Sequence, residues 1–235
     1  MIEIKSLSFS YGDKKVIDDI SFDIEKGLSL AVLGNNGAGK TTVLKCVLGV
    51  LAYDSGEIMI DGLTLARHEK AYKEKIGVVF DNGYFYENLT LEEMKKIISN
   101  AYKNWDEKVY QEYIKEYKLD AKQKIDTLSQ GMKMKYALAL ALSHNAEILI
   151  FDEPTSGLDP KTRQLFCEEM VKQKNKGKCI LFSTHITSDL DKIGDKIILI
   201  DDGIVLKEAP KQEFLMGELN VETAMMKIIS RKGIE

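Results

Sequence analysis

The sequence predicts an α/β fold built on a parallel β-sheet, and two observations carry that expectation. Short apolar runs at residues 28–33, 148–151 and 179–182 read as buried central strands. Stretches with helical spacing, such as 39–49 and 161–174, alternate with them. At 235 residues the chain is long enough for one large domain with a full core.

Taken in order, residues 2–9 and 16–24 read as a β-hairpin, with 11–15 as its turn region. The run at 28–33 leads straight into a glycine-rich loop. The helix that follows places Val43, Leu44, Val47 and Leu48 at helical spacing. Strands at 57–60 and 76–80 come next. From about 88 to 145 the pattern is helical. Thr90 and Glu93 form a capping box ahead of Met94, Ile97 and Ile98, and 105–117 and 132–143 are further helices. Strand signals return at 148–151, 179–182, 196–200 and 204–207, and Asp202–Gly203 marks a hairpin turn between the last two. Residues 211–231 read as helix. This gives a single domain, 1–235: a core with a β subdomain over about 1–87 and 146–210, a helical subdomain over about 88–145, and a C-terminal helical tail over about 211–235.

Composition narrows the class. Hydrophobic residues at 44% and charged residues at 30% are ordinary for a globular protein. No apolar stretch approaches the roughly 18 residues of a membrane span. The N-terminus alternates like a strand and lacks the plan of a signal peptide, so a cytoplasmic location is expected. A net charge of −4 leaves no electrostatic footprint for nucleic acid. Cys46, Cys167 and Cys179 are scattered, without metal-ligand spacing, which suits a reducing compartment.

Three motifs carry the chemistry. In GNNGAGKT, Gly34, Gly37 and Gly39 let the backbone curl, so that N–H groups along Gly34, Asn35, Asn36, Gly37, Ala38 and Gly39 can surround phosphates. The helix N-terminus beyond adds free donors and a partial positive charge. Lys40 would bridge the β- and γ-phosphates, Thr41 would ligate Mg²⁺, and Thr42 would add a phosphate contact. This loop alone also suits kinases and GTPases. In ILIFDEPTSGLD, Asp152 ends a buried strand and would hold Mg²⁺ through water, while Glu153 is the candidate general base for an attacking water. In LSQGM, Ser129 and Gly131 open a helix and could receive an anion, although a single serine there is more often an ordinary N-cap.

In this order the three motifs resemble the ATPase subunit of an ABC transporter, over about residues 2–210. The resemblance implies a P-loop NTPase ABC ATPase fold, with a RecA-like parallel-sheet core, an antiparallel β subdomain and an α-helical subdomain. It implies that LSQGM is the signature LSGGQ, with Gln130 and Met132 as departures. Ser129 and Gly131 would then contact ATP held by an opposite subunit, in a homodimer or a heterodimer with another ABC ATPase. Asp159 is expected at that subunit interface, Tyr11 is expected to stack on adenine, and His185 matches the switch histidine that senses the γ-phosphate. Where the family carries a glutamine after the strand IGVVF, this chain has Asp81, an expected Mg²⁺ contact. Tyr84, Phe85 and Tyr86 lie where the family forms a groove for its membrane subunit.

The resemblance also implies a separate transmembrane permease that holds the chain on the inner face of the membrane. The tyrosine-rich segment and the GM of the signature look like the ABC-2 exporter type. Thirty Lys against three Arg suits a bacterium with an AT-rich genome. None of Arg67, Arg163 and Arg231 lies in a motif, so a dimer would supply what an arginine finger supplies elsewhere. The alternative is a soluble ABC ATPase with a regulatory or scaffold-assembly role. A P-loop kinase would lack LSQGM and the switch histidine.

Overall fold

The structure is a computed structural model that describes residues 1–80 and 85–232, with side chains to residue 230. Strands β1 (Ile2–Tyr11) and β2 (Lys14–Ile24) form the expected antiparallel hairpin. Tyr11 pairs with Lys14, so the turn is only Gly12 and Asp13, shorter than the expected 11–15. Strand β4 (Ser55–Ile60) pairs with the other edge of β1 and completes a three-stranded antiparallel sheet.

The second sheet holds β3 (Ser29–Leu33), β5 (Ile76–Val79), β6 (Ile148–Asp152), β7 (Cys179–Thr184), β8 (Lys196–Asp201) and β9 (Ile204–Pro210). Their spatial order is β5-β6-β7-β3-β8-β9, parallel except for the antiparallel edge strand β9. Asp202 and Gly203 join β8 to β9 with φ of 48° and 76°, the two positive values that a type I′ turn demands.

Side chains alternate across this sheet with the period of two that extended chain imposes. Ala31, Leu33, Leu149, Phe151, Ile180, Phe182, Ile197 and Leu199 enter one apolar core. Leu30, Val32, Ile148, Ile150, Cys179, Leu181, Ile198 and Ile200 enter the other. The second core is shared with the small sheet and with α1 (Lys40–Val47). The first is shared with α3 (Leu91–Ser99), α4 (Glu107–Glu116), α5 (Gln130–Leu142) and α6 (Pro160–Asn175). Burial on both faces explains why the central strands are continuous apolar runs. The Thr90 capping box forms: its hydroxyl accepts Glu93 N at 3.2 Å, and the Glu93 carboxylate accepts Thr90 N at 2.9 Å.

Three further features depart from the sequence reading. Helix α2 (Leu65–Glu74) was not expected; Tyr72 is its one buried residue, anchored by a bond from its hydroxyl to Val47 O at 2.7 Å. A helix held by Tyr72 and the partly buried Leu65 leaves too short an apolar stripe to detect. Helix α7 (Thr187–Ile193) is too short to show periodicity. The tail is two helices, α8 (Lys211–Leu215) and α9 (Val221–Lys232), because Met216 and Gly217 adopt positive φ, 52° and 82°, which no helix continues through.

His144, just past α5, links the helical stretch to β5. It is buried, its Nε2 donates to Ile76 O at 2.9 Å, and its ring stacks on Tyr102 with centroids 3.7 Å apart. Burial holds its pKa below the ordinary histidine value, against the pull of neighbouring carbonyls. The unfolded chain therefore takes up this proton at higher pH than the folded one. The stability that depends on neutral His144 is fully present above about pH 6.5 and is lost as pH falls below it. The melting temperature should drop between about pH 7.5 and pH 5.5, and His144→Gln should flatten that slope. An unchanged slope in the variant would show that other groups carry it.

Candidate active site

The phosphate loop is shaped by its neighbours. Gly34 ends β3 against β8 so closely that a Cβ there would lie 2.3 Å from Ile200 O. Gly39 caps α1 at φ 105°, where a Cβ would lie 2.7 Å from Ile17 Cδ1 of β2. Both sheets thus clamp the loop and leave Asn35, Asn36 and Gly37 exposed, while Ala38 and Gly39 are buried. Helix α1 starts at Lys40 with no acidic residue in its first turn, so its N-terminal donors face the loop unopposed.

Lys40 is buried and curls back over the loop, donating to Gly34 O at 2.8 Å and Asn35 O at 3.2 Å. Its ammonium lies 3.3 Å from Glu153 Oε1. Next to it, the Thr41 hydroxyl donates to Asp152 Oδ1 at 2.9 Å. Thr42 points into the buried side of the helix. Asp152 and Glu153 lie at the end of β6, and β7 fixes them both. The Ser183 hydroxyl donates to Asp152 Oδ1 at 2.6 Å and accepts Glu153 N at 2.9 Å. Glu153 takes a left-handed φ of 47°, a conformation that persists only when its surroundings hold it. Its Oε2 accepts His185 N at 3.2 Å and stands 2.6 Å from His185 Nδ1.

Lys40, Thr41, Asp152, Glu153 and His185 therefore converge. Ser183 joins them; the serine before a histidine gave no signal of its own that it would bind both carboxylate residues.

Ser129, Gly131 and Asp159 form a second group at the starts of α5 and α6. Ser129 caps α5, accepting Met132 N at 3.3 Å. Asp159 caps α6, accepting Lys161 N, Thr162 N and the Thr162 hydroxyl at 3.0, 3.1 and 2.6 Å. The Thr162 hydroxyl and these backbone donors hold the Asp159 carboxyl below its usual pKa. A Cβ on Gly131 would stand 3.1 Å from Thr162 Oγ1 and 3.6 Å from Asp159 Oδ2, so the two motifs touch within one chain. Tyr11 ends β1 about half exposed, its ring edge-on to Phe9 at 4.7 Å. Asp81 and Tyr84 lie outside the described residues. Phe85 packs on Tyr136 at 5.3 Å, and Tyr86 is exposed.

The donor set fits Mg²⁺. Thr41 and Asp152 offer two hard oxygens beside a cradle for phosphates, and Mg²⁺ at such sites takes few protein ligands, the nucleotide supplying others. Among the described residues no three His, Cys, Asp or Glu side chains gather as an all-protein cage, as that mode of binding allows.

A clamped phosphate loop joined to a strand-end carboxylate pair defines a P-loop nucleotide hydrolase. The match to the family described as ABC transporter, over residues 17–156, narrows this further: the chain belongs to that family. It is 31% identical to the linearmycin resistance ATP-binding protein LnrL of Bacillus subtilis, covering 98% of this chain and 75% of that one. It is 34% identical to the Nod factor export ATP-binding protein I of Paraburkholderia xenovorans, covering 94% and 74%. A solved ATP-binding subunit of an ABC transporter superposes with a TM-score of 0.88 at 28% identity, over 97% of this chain and 99% of that one. A dimeric cassette in a post-hydrolysis state with ADP and Pi superposes at 0.77 with 26% identity, over 89% and 98%. The chain is thus an ATP-binding, ATP-hydrolysing subunit of the ABC transporter class, with the expected P-loop fold. Among the described residues, no helix is long and apolar enough to cross a membrane.

Proposed function

We propose that this chain drives export by a separate membrane permease, closing as a dimer around two Mg-ATP and reopening after hydrolysis. The observation that carries this reading is the Lys40–Glu153–His185 cluster, paired with a second helix start at Ser129 on the same chain. One chain holds both halves of a composite site, so two copies facing head to tail would form two complete sites. The dimeric relative supports the pairing of two copies. The relatives named for resistance and for Nod factor export support the outward direction.

Each residue has a part in that cycle. The Gly34–Gly39 backbone and Lys40 bind the phosphates, with Lys40 turning from the loop carbonyls to the nucleotide. Tyr11 stacks on adenine. Glu153 accepts a proton from the attacking water, and His185 orients that carboxylate through the contact to Nδ1. Ser129, Gly131 and Asp159 close the site from the partner. Thr41 and Asp152, with Asp81, would hold Mg²⁺, which supplies neutralisation of phosphate charge. The helical subdomain, about 88–145, would carry Ser129 and Gly131 toward the partner's nucleotide. An apolar pocket of about 150 Å³, lined by Phe80, Phe85, Met94, Ile98, Tyr102 and His144, supports docking of the permease beside β5. That contact would keep the chain on the inner face of the membrane.

EDTA should abolish ATP turnover, and added Mg²⁺ should restore it. Fractionation of native cells should place the chain in a detergent-extracted complex with a multi-span protein. Turnover that persists in EDTA contradicts the metal assignment, and a chain confined to the supernatant contradicts the transport reading.

A further inference from the structure

Asp189 in α7 is a carboxylate withdrawn from water, 2% exposed. Its Oδ2 accepts the hydroxyl of Thr155, which is 1% exposed, and its Oδ1 has no hydrogen-bond partner. A buried carboxylate held by one hydroxyl is an expensive arrangement for a fold to keep. Its place suggests why it is kept. Thr155 comes two residues after Glu153, and Asp189 four residues after His185.

Two short segments are therefore tied at both ends. Glu153 meets His185 at one end, and Thr155 meets Asp189 at the other. Glu153 itself is left-handed, and its φ needs outside support. Ser183 holds that turn from β7, and Asp189 holds it from α7. Arg163 of α6, with its Nε also buried and unpartnered, and Lys192 of α7 are cations on this side, and both oppose the effect of Asp189 on the Cys167 thiol.

We propose that Asp189 is a positioning residue for ATP hydrolysis: through Thr155 it fixes the turn after β6, and so aims Glu153 at the attacking water beside His185. This rests on the reading of Glu153 as general base. A base displaced by about 1 Å loses on the order of 10²-fold in rate without losing the nucleotide, because the phosphate cradle is built by other elements.

The test is Thr155→Val, which removes the hydroxyl and keeps the shape, beside Thr155→Ser, which keeps the hydroxyl. Thr155→Val should lower kcat by about 10–100-fold with the KM for ATP and the affinity from direct titration within about threefold of wild type. Thr155→Ser should recover most of the rate. A merely structural bond would lower the melting temperature and leave kcat per folded molecule unchanged, and that result overturns the proposal. Should Thr155→Val not fold, Thr155→Ala is read in the same way. The companion Glu153→Gln separates the two ideas. Wild-type turnover in Glu153→Gln removes the base itself, whereas an inactive Glu153→Gln beside a fully active Thr155→Val removes only the positioning role.

Discussion

Glu153→Gln should lower ATP turnover by about 10²–10⁴-fold, the range that a positioned general base contributes. The amide keeps the size of the carboxylate but cannot take the proton of the attacking water. ATP affinity should change little. Gln can still accept the bond from His185 N, and the loop that holds the phosphates is set by Ile200 and Ile17, not by Glu153. The variant also leaves Lys40 without its anionic neighbour at 3.3 Å, which frees the ammonium for phosphate. Affinity should therefore hold or rise while turnover falls. Steady-state phosphate release and a separate ATP titration distinguish the two effects, and a fall in affinity that matches the loss of turnover would contradict the assignment.

Lys40→Met should act in the opposite way. Methionine replaces the stem of the side chain but not its charge. Lys40 is the buried cation of the cradle, and its ammonium already bonds two loop carbonyls there. Each charge-assisted bond to phosphate that it makes with ATP is worth about 1.5–3 kcal/mol. Losing the ammonium should weaken ATP binding by at least about 10–100-fold, with turnover lost in consequence. The helix N-terminus and glycine backbone remain, so residual binding should persist at high nucleotide concentration. Titration of ATP into the two variants gives a clear contrast: retained in Glu153→Gln and weakened in Lys40→Met. Equal affinities would mean that Lys40 does not face the nucleotide.

Elements whose physics is local were legible in the sequence. The central strands announced themselves as continuous apolar runs because they are buried on both faces. The Thr90 cap and the Asp202–Gly203 turn were legible because each depends on residues a few positions apart. What escaped was held by distant or single contacts. Helix α2 depends on Tyr72 reaching Val47, 25 residues away. Ser183 finds Asp152 across neighbouring strands, 31 residues apart, and the Thr155–Asp189 bond spans 34. Sequence spacing cannot show such partners, because only the folded chain brings them together. The tail broke at Met216, a residue with no ordinary preference for the left-handed conformation it adopts. Asp81 lies outside the described residues; its expected metal role predicts that Asp81→Ala alters the Mg²⁺ dependence of turnover.

In the proposed dimer, Lys40 of one chain and Ser129 of another close on the same ATP. Sedimentation of Glu153→Gln with and without Mg-ATP tests it most directly, since blocked hydrolysis should hold the sandwich closed. The protein should be a monomer without nucleotide and a dimer with it, and Ser129→Arg in the same background should abolish the shift. A protein that binds ATP yet sediments as a monomer throughout would contradict the composite site.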